Sequence, residues 1–244
     1  MFTQSKSFSL PILFVLLHSF AAGAQPLVFE QGVDSYSGAD DTTIFEENPD
    51  FSNGSSVNLF AGRTNNDEGT TFRRTLIRFD VSSIPGGSFV TAVEFRLSVA
   101  QSPGGGPNPT QQTLHPLLKD WNPGSVNGGA RGAAAGQDDA TWSSNLFGTE
   151  TWAAGGGDFG PASATEEVAQ SGTTATWTGA GLVADVQSWI DAPASNFGWI
   201  LVGDETVLQT ARSFRSSESF SGRPRLTVTL GSAPTSSVRN WELY

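Results

Sequence analysis

The residues of this chain that could do chemistry are a handful of tryptophans, a set of arginines and several acidic pairs. Thr-Trp dipeptides end at Trp142, Trp152 and Trp177, and another indole stands at Trp121. An exposed indole is a flat apolar plate with one hydrogen-bond donor, a shape on which sugar rings stack. The same rings can plug the ends of a β-sandwich. Trp177 and Trp189 fall in regular strand and helix patterns and are expected to pack; Trp121, Trp142 and Trp152 lie in an irregular stretch where both readings stand.

Arginine supplies most of the positive charge. Arg74, Arg78 and Arg96 fall on the polar faces of two strand-like runs, and Arg212 and Arg215 on a third. Guanidinium forks hold carboxylates in two-pronged fashion, so Arg212 and Arg215 are candidates to meet the uronic acids of a polysaccharide. The competing explanation is cross-strand pairing with Asp80, Glu94 and Glu218, which the spacing favours. Acidic pairs at Asp40-Asp41, Asp138-Asp139, Glu166-Glu167 and Asp204-Glu205 offer oxygens that calcium accepts. None matches an EF-hand, and Gly155-Gly-Gly-Asp158 occurs once rather than as a repeat. A structural calcium at Asp40, Asp41 or Asp158 is the cofactor that the sequence leaves open.

For catalysis the inventory is thin. Beyond the first 24 residues the only histidine is His115, written before Pro116 in an apolar run, and the tyrosines are Tyr36 and Tyr244. No Gly-x-Ser-x-Gly elbow frames a serine nucleophile, and the absence of cysteine removes thiolate nucleophiles, thiolate metal sites and iron–sulfur clusters. A glycosidase would need only two carboxylates, which the sequence does not exclude. Net charge is −11, with 24 acidic against 13 basic residues. That field repels phosphates, so neither nucleic acid nor an anionic membrane is an expected partner.

The elements that must position these groups are strands. In Arg73 to Val99, Ile77, Phe79 and Val81 alternate with Arg78 and Asp80, then Val93, Phe95, Leu97 and Val99 alternate with Glu94 and Arg96, across a Ser-Ser-Ile-Pro-Gly-Gly turn. A period of two with one apolar face predicts half-buried antiparallel strands of a sandwich. Further strands are expected over 42–45, 56–61, 113–118, 166–169, 174–178, 198–203, 211–216 and 225–230. Gly198 to Val202 is continuously apolar, as in a strand covered on both faces, and Leu182, Val186 and Trp189 predict one short helix over 181–190 that caps the sandwich. The irregular stretch between 101 and 172 is expected at an end of the sandwich, carrying its binding surface. Residues 1–24 read as a secretory signal peptide, with a short apolar run and Ala22-Gly23-Ala24 before Gln25, so the protein is expected outside the cell. Residues 25–230 read as one domain without a membrane span, and 231–244 as linker and tail.

Taken in order, Arg74 to Pro85 (RTLIRFDVSSIP), Ala140-Thr-Trp142, Thr151 to Phe159 (TWAAGGGDF), Ala184 to Trp189 (ADVQSW), Gly198 to Glu205 (GWILVGDE), Ser213 to Glu218 (SFRSSE) and Arg223 to Leu230 (RPRLTVTL) resemble the DNRLRE-domain proteins. These are disaggregatase-related extracellular modules, some of them classed as carbohydrate-binding modules. The resemblance implies a non-catalytic, antiparallel, jelly-roll-like β-sandwich on exported proteins. The chain departs from the namesake motif at Ser217, where the family has a second arginine before the glutamate. The expectation is an all-β, secreted module that binds polysaccharide or cell-surface glycan through Trp121, Trp142, Trp152, Arg212 and Arg215. The alternatives are a cell-surface or matrix structural module with no sugar site and a carbohydrate-active enzyme using a carboxylate pair.

Overall fold

The alternating runs form strands. A computed structural model describes residues 25–65 and 71–232; the segments read as signal peptide and as C-terminal tail beyond Ser232 lie outside the described residues. In chain order the strands are β1 (Leu27–Glu30), β2 (Ala39–Phe45), β3 (Phe51–Ser52), β4 (Asn58–Arg63), β5 (Phe72–Phe79), β6 (Phe89–Gln101), β7 (Thr110–Pro116) and β8 (Ala133–Ala134). They continue with β9 (Ser144–Leu146), β10 (Glu150–Thr151), β11 (Ala164–Val168) and β12 (Thr174–Thr178), then helix α1 (Ala180–Asp191), β13 (Trp199–Gly203), β14 (Arg212–Arg215) and β15 (Arg225–Gly231).

Two antiparallel layers face each other. One holds β1, β15, β6 and β12; the other holds β2, β5, β13, β7 and β11. Strand β14 pairs with both β6 and β4, and β4 pairs with β5, so the layers are parts of one curled eleven-stranded sheet. The result is an all-β, sandwich-like fold. Between the layers lie the residues that the period of two assigns to the interior: Ile77 and Phe79 from β5, Val93, Phe95, Leu97 and Val99 from β6, and Leu226 and Val228 from β15. Burying each such side chain contributes about 1.5–3 kcal/mol. Phe95 sits at the middle, its ring 5.6 Å from Trp177, 5.8 Å from Trp199 and 5.9 Å from Phe79. Helix α1 closes one end, burying Leu182, Val186, Trp189 and Ile190, with Trp189 packed on Trp199. It stops before Pro193, whose ring cannot continue a helix.

Strands β5 and β6 fall in opposite layers. The turn between them therefore crosses the sandwich, and Arg74 and Arg78 face away from the layer that carries Glu94. Half-burial holds for β6, whose outer side chains Thr91, Ala92 and Arg96 are exposed. It fails for β5: Leu76 lies on the outer face between Arg74 and Arg78 and is fully buried. Its register partner Ile200 on β13 and nearby Ile44 on β2 are buried with it. The cover is the irregular segment 117–159, which folds over this face and adds Leu117, Trp121, Ala140 and Trp152 to a second, smaller core, with Trp142 and Phe159 at its border. Two-stranded ribbons, β3 with β8 and β9 with β10, brace the segment. Strand β13 is thus apolar throughout because both of its faces are covered, as its composition predicts.

Candidate functional site

Where the covering segment meets β5, it leaves a groove of ≈ 620 Å³ bounded by Leu118, Lys119, Ala153 to Gly155, Asp158 and Phe159, with Arg74 at its floor. Its shape is set by charge and by glycine. Arg74 reaches out from β5 and donates from Nε and Nη2 to the two carboxylate oxygens of Glu205, each at 2.8 Å, and from Nη1 to the Gly156 carbonyl at 2.8 Å. The guanidinium lies over the Trp142 ring, 4.8 Å from its centroid, and 5.5 Å from that of Phe159. Gly156 donates back to the Trp142 carbonyl at 2.7 Å and has φ +92°, where a side chain is strained. A Cβ there would stand 2.5 Å from Arg74 Nη1 and 2.8 Å from Trp142 Cζ2. The glycine run is thus the place where backbone presses onto an arginine–indole stack.

The opposite wall is held by Asp158, whose carboxylate accepts the amides of Ala153 (2.9 and 3.0 Å) and Ala154 (3.3 Å). Lys119 Nζ donates to the Thr151 carbonyl at 3.0 Å and stands 3.0 Å from Glu150 and 3.8 Å from Asp158. The Asn145 amide and Lys119 hold the exposed Glu150 carboxyl below its ordinary pKa. Leu118, 59% exposed, is the large apolar side chain that this rim shows to water.

The expected sugar plates divide. Trp142 is half-buried behind the groove, against Arg74 and the glycine run, and does not line it. Trp121 is 2% exposed, with Nε1 donating to the Phe197 carbonyl at 2.8 Å; Trp152 is 4% exposed, with Nε1 donating to the Thr141 carbonyl at 2.9 Å. Both rings are filling for the second core, so neither offers a face to a ligand, and their place among the stacking residues is corrected. Arg212 is corrected likewise. It is 1% exposed, and its guanidinium donates only to carbonyls, of Pro107 at 2.7 Å, Ala169 at 3.3 Å, Thr210 at 3.4 Å and Ala211 at 3.5 Å, tying loops to one end of the sandwich. Desolvation lowers its pKa. Arg215 is half-buried on the same strand and donates to Asn58 Oδ1 at 3.4 Å, away from the groove.

The arginines do pair with carboxylates, mostly not the expected ones. Arg78 meets its register partner Asp40 at 2.9 Å and Asp120 at 2.6 Å, with the Trp121 ring beneath it. Arg96 pairs with Glu94 on its own strand. The three proposed calcium ligands are held separately. Asp40 serves Arg78, Asp158 caps the glycine loop, and Asp41 is buried on the other face of β2, accepting the Ser217 amide at 2.8 Å. Among the described residues no three His, Cys, Asp or Glu side chains are grouped to hold a metal ion. Burial, with Glu218 beside it, pushes the Asp41 carboxyl well above the ordinary range. His115 donates from Nδ1 to the Gly160 carbonyl, 2.9 Å away, and packs on Phe159.

The chain matches no family model and no curated sequence.

Sequence reasoning missed Lys119, Leu118 and Phe159. The signal for them was present: Leu118-Lys119-Asp120 follows a strand and Phe159 follows the glycine run, both beside tryptophans already under suspicion. A slightly larger groove, ≈ 660 Å³, runs over the outer face of the β6 layer past Thr91, Glu94, Thr178 and Thr229. It has no aromatic wall. Among the described residues no helix is long and apolar enough to cross a membrane.

Proposed function

We propose that this chain is an exported, non-catalytic module of the DNRLRE kind that holds a polysaccharide strand in the groove between Leu118 and Phe159. The observation that carries the reading is a groove with an exposed leucine and the aromatic wall of Phe159, its Arg74 fixed from behind by the half-buried Trp142. A fixed aromatic and apolar surface next to hydrogen-bonding groups suits sugar rings, which are apolar on their faces and polar at their edges. The non-catalytic reading draws support from the state of the groove's carboxylates. Glu205 is committed to Arg74, Asp158 to two backbone amides, and Glu150 to Lys119 and Asn145, so no free acid and base stand across the groove. His115 is taken up by Gly160 and Phe159.

The test is affinity electrophoresis of the chain from Gln25 onward through gels containing single polysaccharides, beside Trp142→Ala and Leu118→Ser. Retardation on at least one polysaccharide, reduced in both variants, is expected. A chain that none of the gels retards, or retardation unchanged in both variants, overturns the groove as a glycan site.

A further inference from the structure

We infer that the groove selects uncharged glycans and turns away acidic ones, an inference that rests on the polysaccharide reading and names the substrate class within it. A pair of arginine and lysine side chains in a groove suggests a site for uronates or sulfate esters. Here the cations are already spent. Each nitrogen of the Arg74 guanidinium donates within the protein, to Glu205 and to the Gly156 carbonyl. The Lys119 ammonium is shared among the Thr151 carbonyl, Glu150 and Asp158. Against these two cations the groove and its immediate support carry three carboxylates, Glu150, Asp158 and Glu205, in a chain of net charge −11.

An incoming carboxylate or sulfate would meet no free positive partner, and would bring its charge into the field of Glu150, the most exposed of the three. Like charges brought together across an interface weaken binding and select against that partner. Hydroxyl groups face no such penalty. They donate to carboxylate and carbonyl oxygens such as those of Glu150, while the ring's C–H face rests on Leu118 and Phe159. Arg78, the next cation along β5, does not alter the balance, because Asp40 and Asp120 both sit on it.

The experiment uses the chain from Gln25 onward and two sets of soluble polymers, neutral (a mixed-linkage glucan, a galactomannan, an arabinoxylan) and acidic (polygalacturonate, a sulfated galactan). Affinity electrophoresis ranks them, and titration calorimetry on the best binder is run at low and high sodium chloride. The expected result is retention by a neutral polymer and by neither acidic one, with a dissociation constant that changes less than about twofold with salt, since exposed charges are screened but none carries the binding. Glu150→Gln with Glu205→Gln frees Lys119 and Arg74 and is expected to create retention on polygalacturonate that falls at high salt. The single Glu150→Gln variant changes an exposed side chain and gives a smaller gain in the same direction, which keeps the test open should the double variant not fold. Tighter, salt-sensitive binding of the wild type to an acidic polymer overturns the inference while leaving the polysaccharide reading intact. So does a folded variant that gains nothing. Retention by no polymer of either kind removes the polysaccharide reading itself.

Discussion

Replacing Trp152 by alanine separates the two uses of tryptophan in this chain. The ring is 4% exposed, packs in the second core with Leu76, Ile200 and Ile44, and donates to the Thr141 carbonyl at 2.9 Å. Truncating a buried tryptophan costs about 3–5 kcal/mol, and leaving a buried carbonyl without its donor adds about 1–3 kcal/mol. Trp142 is half-buried at the border of that core and stacks on the Arg74 guanidinium, the stack being worth about 0.5–2 kcal/mol. Trp152→Ala should therefore lose about 4 kcal/mol or more in urea unfolding, more than the loss from Trp142→Ala. That is a large part of the roughly 5–15 kcal/mol that holds a domain together. Glycan binding should show the opposite order per unit of stability lost, with folded Trp142→Ala the poorer binder. A Trp152→Ala protein that loses less than about 1 kcal/mol yet no longer binds polysaccharide would refute this reasoning, because it would place the ring against a ligand rather than against Leu76.

Three further outcomes are expected. Asp41 has its carboxyl pushed up by burial with Glu218 beside it, so folding favours the neutral form; its contribution is full below the ordinary value of 3.8 and is lost as pH rises through the raised folded value. The difference in unfolding free energy between wild type and Asp41→Asn should fall steadily from pH 4 upward, and a pH-independent difference would count against it. Gly156→Ala, strained at φ +92° and pressing on Arg74 and Trp142, should cost about 1–3 kcal/mol in unfolding and weaken glycan retention; an unchanged melting temperature with unchanged retention would count against the clamp. Arg212→Ala leaves the Pro107 and Ala169 carbonyls without donors and should cost at least about 2 kcal/mol, while Arg215→Ala, with one long bond to Asn58, should stay within about 1 kcal/mol in the same denaturation assay.

The fold was largely legible because its main core obeys one rule. On β6 every second side chain is buried from Val93 to Val99, and on β15 Leu226 and Val228 alternate with threonines. Helix α1 announced itself through Leu182, Val186 and Trp189. What could not be read was a layer built by a segment with little periodicity of its own. Strand β1 escaped because its four residues LVFE alternate only once, and it is defined by register with β15 rather than by its own pattern. Strands β3, β8, β9 and β10 have two or three residues each, and are fixed by their partners and by side-chain bonds such as Asn145 to the Asp120 carbonyl.

The site was harder for a related reason. In an ordinary half-buried strand the polar face points to water, so Arg74 and Arg78 on β5 imply an exposed surface, and tryptophans in a glycine-rich segment imply plates above it. Leu76, between the two arginines, contradicts that picture, as does Ile200 in its continuously apolar strand. Both require a cover on the outer face, and the irregular segment supplies it with the indoles of Trp121 and Trp152 together with Leu117 and Ala140. Once Trp121 and Trp152 are spent there, Arg78 and Arg74 become part of the same interior boundary, each lying over an indole and neutralised by carboxylates. The candidate site is then whatever the cover leaves open, and what it leaves open is the edge at Leu118, Ala153 and Phe159. An insertion that makes a second core thus turns residues chosen by type into structural ones and moves the candidate site to its rim.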